Sequence, residues 1–220
     1  MRPFTEKIPK ALIPVLNKPF LEHQLSHLKR GGVTKVLLSI CYLGEQIRQY
    51  AGDGSMWDLQ IEYVDDGAKA LGTAGALRLA LDQNLLEESF LVTYGDSYLP
   101  IVAADVWEAF IKGDSELLMT VFPNDDRWDK SNIIFENGRV ELYDKKQRLP
   151  TMLHIDYGLM AMRRSILKTL PPDTKADLSD LLHEMSKAGL ISGIEVKERF
   201  YEIGSTEGLN DLETYLKGQT

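Results

Sequence analysis

Apolar and polar positions along this 220-residue chain follow two alternating periods. Short apolar runs predict strands: KVLLSI (35–40), LQIEYV (59–64), SFLVTYGDS (89–97), ELLMTVF (116–122) and IDYGLMAM (155–162). Between them apolar residues recur every three or four positions, the spacing of an amphipathic helix. Leu21, Leu25 and Leu28 carry the first helix, which Pro19 opens and Gly31-Gly32 stops. The same reasoning predicts helices at about 45–50, 73–83, 104–112, 178–189 and 206–218.

Strands alternating with helices predict a parallel sheet covered by helices. KVLLSI is continuous enough to suggest burial on both faces. From about residue 123 the texture changes, and NIIFENGRVELYDK (132–145) predicts a hairpin turning at Asn137-Gly138. The fold class expected is therefore α/β: a Rossmann-like, mostly parallel mixed sheet flanked by helices, with a β-rich part after it. No repeat, low-complexity tract or Ser/Gly linker interrupts the chain. The expectation is one domain over 1–220, with a first part at 1–122 and a second at 123–220.

Charge and cysteine usage narrow the function. The net charge is -8, from 33 acidic and 25 basic residues, which argues against a general nucleic-acid binder. A small phosphorylated ligand remains compatible, given local lysines, helix-start amides or a metal ion. The one cysteine, Cys41, permits no internal disulfide and fits a reducing compartment. No apolar run nears the roughly 18 residues of a membrane span, and the start has no signal-peptide core. A cytoplasmic location is expected.

Several stretches could carry chemistry. In LGTAGAL (71–77), Gly72 and Gly75 bracket a helix start where a ligand could approach the backbone, although close packing explains them as well. In TYGDS (93–97), a strand delivers Asp96 to the sheet edge where ligands bind in open α/β folds. A carboxylate there suits Mg2+, while a local turn is the plainer alternative. FYEIGSTEG (200–208) presents Glu202 in the same manner, or merely beside a helix capped by Ser205 or Thr206. Lys10, stiffened by Pro9 and Pro14, is a candidate phosphate contact. Asp125, Asp126 and Asp129 read as a solvated loop, and His23, His27, His154 and His183 lack metal-ligand spacing. Cys41 reads as a buried small hydrophobe.

The order of these stretches is more specific than any one of them. RPFTEKIPKALIPVLNKPFLEHQL, LGTAGAL, YGDS, ELYDK, IDYGL and YEIGSTEGLNDL together resemble the sugar-1-phosphate nucleotidyltransferases. The resemblance is to their short single-domain branch, such as the heptose-1-phosphate and mannose-1-phosphate guanylyltransferases. It implies the nucleotide-diphospho-sugar transferase fold, with nucleotide binding in 1–122 and sugar-phosphate binding in 123–220. It also implies transfer of a nucleotidyl group from a nucleoside triphosphate to a sugar 1-phosphate, with Mg2+ as cofactor and pyrophosphate released.

By motif, Lys10 and Asp96 become catalytic. Lys10 with Leu71, Gly72 and Thr73 binds nucleotide. Asp96 and Glu202 hold the metal. Asp144, Lys145, Asp156, Tyr157 and Gly158 bind the sugar phosphate. The resemblance implies no nucleic-acid or membrane partner and leaves a homo-oligomer open.

The sequence departs from the family pattern in places. Glu202 and Asp144 stand where the family usually has Asp and Glu, and Gly204-Ser205-Thr206 replaces GTP. The family's first strand and GGxGTR loop would precede Arg2-Pro3, so the expectation is that they lie upstream of Met1. A non-catalytic binding module and a GT-A-type glycosyltransferase are the alternatives. The nucleobase and the sugar stay open.

Overall fold

The computed structural model describes residues 7–67 and 70–219, so Arg2-Pro3 lies outside the described residues. In chain order the first elements are β1 (Pro14–Val15), β2 (Lys18–Pro19), α1 (Phe20–Arg30), β3 (Lys35–Ile40), α2 (Gly44–Ala51), β4 (Gln60–Asp65) and α3 (Gly72–Asp82). Next come β5 (Ser89–Thr93), β6 (Ser97–Tyr98), α4 (Ala103–Lys112), β7 (Leu117–Pro123), β8 (Ile133–Glu136) and β9 (Arg139–Tyr143). The last are β10 (His154–Arg163), α5 (Leu178–Lys187), β11 (Ile191–Glu195), β12 (Tyr201–Glu202) and α6 (Thr206–Lys217). They fall into two compact units: Met1–Ala70 with Tyr94–Ala104 and Arg199–Thr220, and Leu71–Thr93 with Asp105–Glu198.

In the first unit, β3 and β4 pair in parallel from Lys35↔Gln60 to Ile40↔Asp65. Leu21 and Leu25 of α1 pack with Ala51, Leu59 and Ile61. The helical spacing of those leucines places them on one face, and burying each contributes about 1.5–3 kcal/mol. A second cluster joins Val15, Phe20, Tyr98, Ile203 and Leu212, so the short β6–β12 ladder and α6 share a core with the start of α1. β3 is less buried than expected. Only Ile40 of its six residues is buried, and β3 pairs with β4 alone among the described strands.

The second unit holds a six-stranded sheet in the order β5-β10-β7-β11-β9-β8. The β7 run LLMTVF is wholly buried, as a continuous apolar strand at a sheet centre should be. Here the expected parallel character is confined to β7–β11, and β10 runs antiparallel to both β5 and β7. The reason is connectivity. A parallel neighbour needs a crossover, and only the β8–β9 hairpin intervenes between β7 and β10. The sheet is mixed, with helices α3 and α5 in the same unit. β11 is an addition to the sequence reading.

Candidate active site

In the first unit the structure gathers Lys10, Asp96 and Glu202. Lys10 opens a 3₁₀ turn after Pro9, whose extended backbone fixes the chain before it. Its Nζ lies 2.6 Å from Asp96 Oδ2, and both side chains keep over a third of their surface exposed. The loop carrying Asp96 is tied down from α1. Gln24 Nε2 donates to the carbonyls of Tyr94 (3.2 Å) and Ser97 (2.8 Å), and His27 Nε2 lies 2.9 Å from that of Ile101. Burial lowers the His27 pKa below the usual histidine value, with the Arg30 charge adding to the effect, so the ring serves as a neutral donor.

Glu202 reaches the same place through β12. It pairs with Ser97 across the β6–β12 ladder, and Ile203 N–H donates to Asp96 O at 3.1 Å. Asp96, in the turn just before β6, and Glu202, on the paired strand β12, therefore lie side by side along the backbone. A Cβ built on Gly204 would lie 3.6 Å from Lys10 Nζ, so the glycine after Glu202 faces the same ammonium. Ser205 Oγ accepts from Gly208 N–H and caps α6, which makes Ser205, rather than Thr206, the capping residue.

The second unit brings the LGT motif and the Asp144 turn to one end of α5. Gly72 has φ +75, and a Cβ there would lie 2.5 Å from Ala176 O, so no larger residue fits. That carbonyl accepts from Ala74 N–H and Gly75 N–H at the start of α3, each at 3.1 Å. Leu71 O accepts from Ala176 N–H at 2.9 Å, and Thr73 Oγ1 accepts from Leu178 N–H at 2.8 Å. The close approach that the two glycines permit is thus made by the chain's own segment 174–178. Asp177 caps α5 through Ser179 N–H, which lowers its pKa, as do the charges of Lys145 and Lys146 nearby.

Asp144 directly follows the strand β9. Its Oδ1 accepts from Lys146 N–H (2.7 Å) and Gln147 N–H (2.8 Å). The Gln147 amide, then the Lys146 amide and the His183 and Lys146 charges, hold its carboxyl below the usual range. Helix α5 anchors this turn. His183 Nδ1 lies 2.8 Å from Tyr143 O, and Ser186 Oγ accepts from Tyr143 N–H at 3.0 Å. Lys145 Nζ stands 5.9 Å over the Tyr143 ring.

Asp156, Tyr157 and Gly158 lie buried in β10 at an irregularity. Between Asp156↔Val121 and Met160↔Met119, three residues face one, and Gly158 takes φ +106. Asp156 Oδ1 accepts from Gly158 N–H at 3.0 Å, and Thr120 Oγ1 donates to Leu159 O at 2.6 Å, so side chains satisfy the bulged backbone. Such bulges re-aim side chains beside functional sites.

Other candidates fall elsewhere. Asp126 pairs with Arg148 and accepts from Ser131 N–H, while Asp129 accepts from Lys130 N–H. The loop around them is more ordered than a solvated one, because the fully buried Asn124 donates to Asp129 O and Ser131 Oγ. Cys41 lies just past β3 and is half-buried, rather than buried within a strand. Sequence reasoning missed His183, Ser186, Ala176 and Asn132. Their contacts join distant segments, which no local spacing announces.

The fold is shared with solved structures. The structure of HddC from Yersinia pseudotuberculosis complexed with GMP-PN superposes with TM-score 0.78 at 23% identity, covering 95% of this chain and 90% of that one. A family model described as "Nucleotidyl transferase" matches residues 1–136, and the chain belongs to that family. Two relatives are a UTP–glucose-1-phosphate uridylyltransferase of Synechocystis (26% identical, 86% of this chain, 53% of the relative) and mannose-1-phosphate guanylyltransferase 1 of Arabidopsis thaliana (30%, 76% and 47%). The chain spans about half the length of these curated relatives.

Proposed function

We propose that this chain transfers a nucleotidyl group from a nucleoside triphosphate to a sugar 1-phosphate, giving an NDP-sugar and pyrophosphate. The observation that carries the reading is the meeting of Lys10, Asp96 and the Glu202 strand. An oxygen of the acceptor phosphate attacks the α-phosphorus in line. The new O–P bond forms as the bond to the β-phosphate oxygen breaks, and pyrophosphate leaves with its electron pair. Both reactants are anions, so positioning and charge neutralisation supply most of the catalysis.

Lys10 neutralises the triphosphate. Asp96 and Glu202 would hold Mg2+, a hard cation that binds through one or two carboxylates and completes its shell with water and phosphate oxygens. The donor set fits, because the described residues offer two carboxylate-bearing positions, Asp96 beside β6 and Glu202 on its paired strand β12, rather than a closed cage. Bound there, the ion would stabilise charge on the phosphates. Leu71, Gly72 and Thr73 contact the nucleotide through groups other than those Ala176 and Leu178 occupy. Lys145 neutralises the acceptor phosphate, and Asp144, Asp156, Tyr157 and Gly158 hold the sugar.

The chain is read as one nucleotidyltransferase domain over 1–220. No described helix is long and apolar enough to cross a membrane, and the lone cysteine supports a cytoplasmic location. A homo-oligomer is compatible with this reading; nucleic acid and membrane have no part in it. The test is pyrophosphate release from a panel of triphosphates and sugar 1-phosphates with Mg2+. Release with one pairing is expected, and silence across the panel alongside sugar-phosphate binding would point to a binding module instead.

A further inference from the structure

Asn132 lies immediately before β8 and is 6% exposed. It connects the two carboxylates assigned above to the sugar. Its N–H donates to His154 O at 2.9 Å, and its carbonyl accepts from Asp144 N–H at 2.9 Å. Its side-chain Oδ1 accepts from Asp156 N–H at 3.1 Å. One residue thus fixes the backbone of both Asp144 and Asp156.

The last of these bonds determines the orientation of the amide. A backbone N–H only donates, so the atom facing Asp156 must be the oxygen. The Nδ2 group then carries two donors, and among the described residues no protein acceptor takes them. Nδ2 is not among the buried side-chain atoms left without a partner, so it reaches the surface of the site, where a ligand or water can accept from it.

The surroundings select the chemistry of that acceptor. Asp144 Oδ1 is taken by two backbone amides, and Asp156 Oδ1 by Gly158 N–H. Asp156 Oδ2 lies 3.5 Å from Tyr143 Oη, and Asp144 Oδ2 lies 3.6 Å from His183 Nδ1. Asn132 holds the backbones of two acidic residues, and a pair of carboxylates so anchored repels a phosphate but suits a hydroxyl, which can donate to a carboxylate and accept from Nδ2.

We propose that Asn132 is a specificity-determining residue whose Oδ1 holds Asp156 in register while Nδ2 donates to a ring hydroxyl of the acceptor sugar. This rests on the nucleotidyl-transfer reading for the identity of the acceptor. The acceptor phosphate belongs to Lys145, and Asn132 reads the sugar. A site built to hydrogen-bond a hydroxyl discriminates strongly against an analogue lacking it, because its buried polar groups are then left unpaired.

The experiment measures binding of glucose 1-phosphate, mannose 1-phosphate and their single-deoxy analogues by calorimetry, and their turnover in parallel. In the natural chain, one deoxy analogue of the preferred acceptor should bind about 10- to 100-fold more weakly. Asn132→Ala should weaken the parent acceptor by a similar factor and show little further loss on that analogue, with triphosphate KM unchanged. Asn132→Asp keeps the size and the acceptor for Asp156 N–H but loses the donor. It should show the same pattern where alanine fails to fold.

Equal losses on every analogue, a loss shared with the triphosphate, or unchanged parent binding in both variants would overturn the proposal. Binding needs no turnover. Tight, Asn132-dependent acceptor binding without pyrophosphate release would therefore refute the transfer reading and leave Asn132 standing. Release with Asn132-independent binding would do the reverse.

Discussion

Lys10 Nζ meets Asp96 Oδ2 at 2.6 Å across 86 residues of sequence, at a pair of side chains that both remain partly open to solvent. An exposed pair of this kind adds only about 0–1 kcal/mol to stability. The transfer reading proposed above gives the contact a use: phosphate as the partner of the ammonium and a metal ion as the partner of the carboxylate.

Asp96→Asn should therefore separate function from fold. It keeps the shape and removes the charge. Mg2+-dependent pyrophosphate release should fall by about 100-fold or more, while the unfolding midpoint moves little. Comparable turnover in the variant would remove Asp96 from the mechanism.

Lys145→Ala should act on the acceptor. Loss of a charged contact costs on the order of 1.5–3 kcal/mol, so the sugar-phosphate KM should rise by roughly 10- to 100-fold while the triphosphate KM holds. The opposite split would place Lys145 on the wrong substrate.

Gly72→Ala and Gly95→Ala make a matched pair. Alanine at 72 meets both φ +75 and a carbonyl oxygen 2.5 Å away, whereas a Cβ at 95 meets nothing within 4 Å. The first should lose about 1–3 kcal/mol. At roughly 2–4 °C per kcal/mol in a chain of this size, thermal melts will resolve it. The second should melt like the natural chain. Equal midpoints would show that segment 174–178 is not clasped to the start of α3.

His27 predicts a pH effect on stability. Its folded pKa lies below the unfolded value of about 6.5, so the folded form binds fewer protons there than the unfolded form. Its contribution is full above that pH and is lost as pH falls through the folded value. Urea midpoints should drop between pH 7 and pH 5, and His27→Gln, which can still donate to Ile101 O, should flatten that slope. An unaltered slope would assign it to other groups.

Local signals were legible in the sequence. The leucine spacing of α1, the Asn137-Gly138 turn and the continuous apolar run of β7 each follow from short-range periodicity and turn chemistry. Motif order likewise placed Lys10 with Asp96, and the strand of Glu202 beside it. What sequence could not supply was pairing between distant segments. β11 was missed because ISGIE is short and holds Gly193, which matters only because the Phe135 ring packs where a Cβ would be, 2.6 Å from it. The direction of β10 depended on which strand it met. Asn132 and His183 act through the backbone of residues 12 or more positions away, so no spacing rule announces them.

The central claim, attack by the sugar phosphate on the α-phosphorus of a triphosphate, is tested most directly by phosphorus NMR of the chain with Mg2+ and the active substrate pair. The three triphosphate resonances and the sugar 1-phosphate resonance should decay together. They should be replaced in equal amounts by the coupled pair of a diphosphate ester and the single line of pyrophosphate, and chelating the metal should stop the change. Inorganic phosphate with a nucleoside diphosphate as the products, or four unchanged resonances throughout the substrate panel, would contradict it.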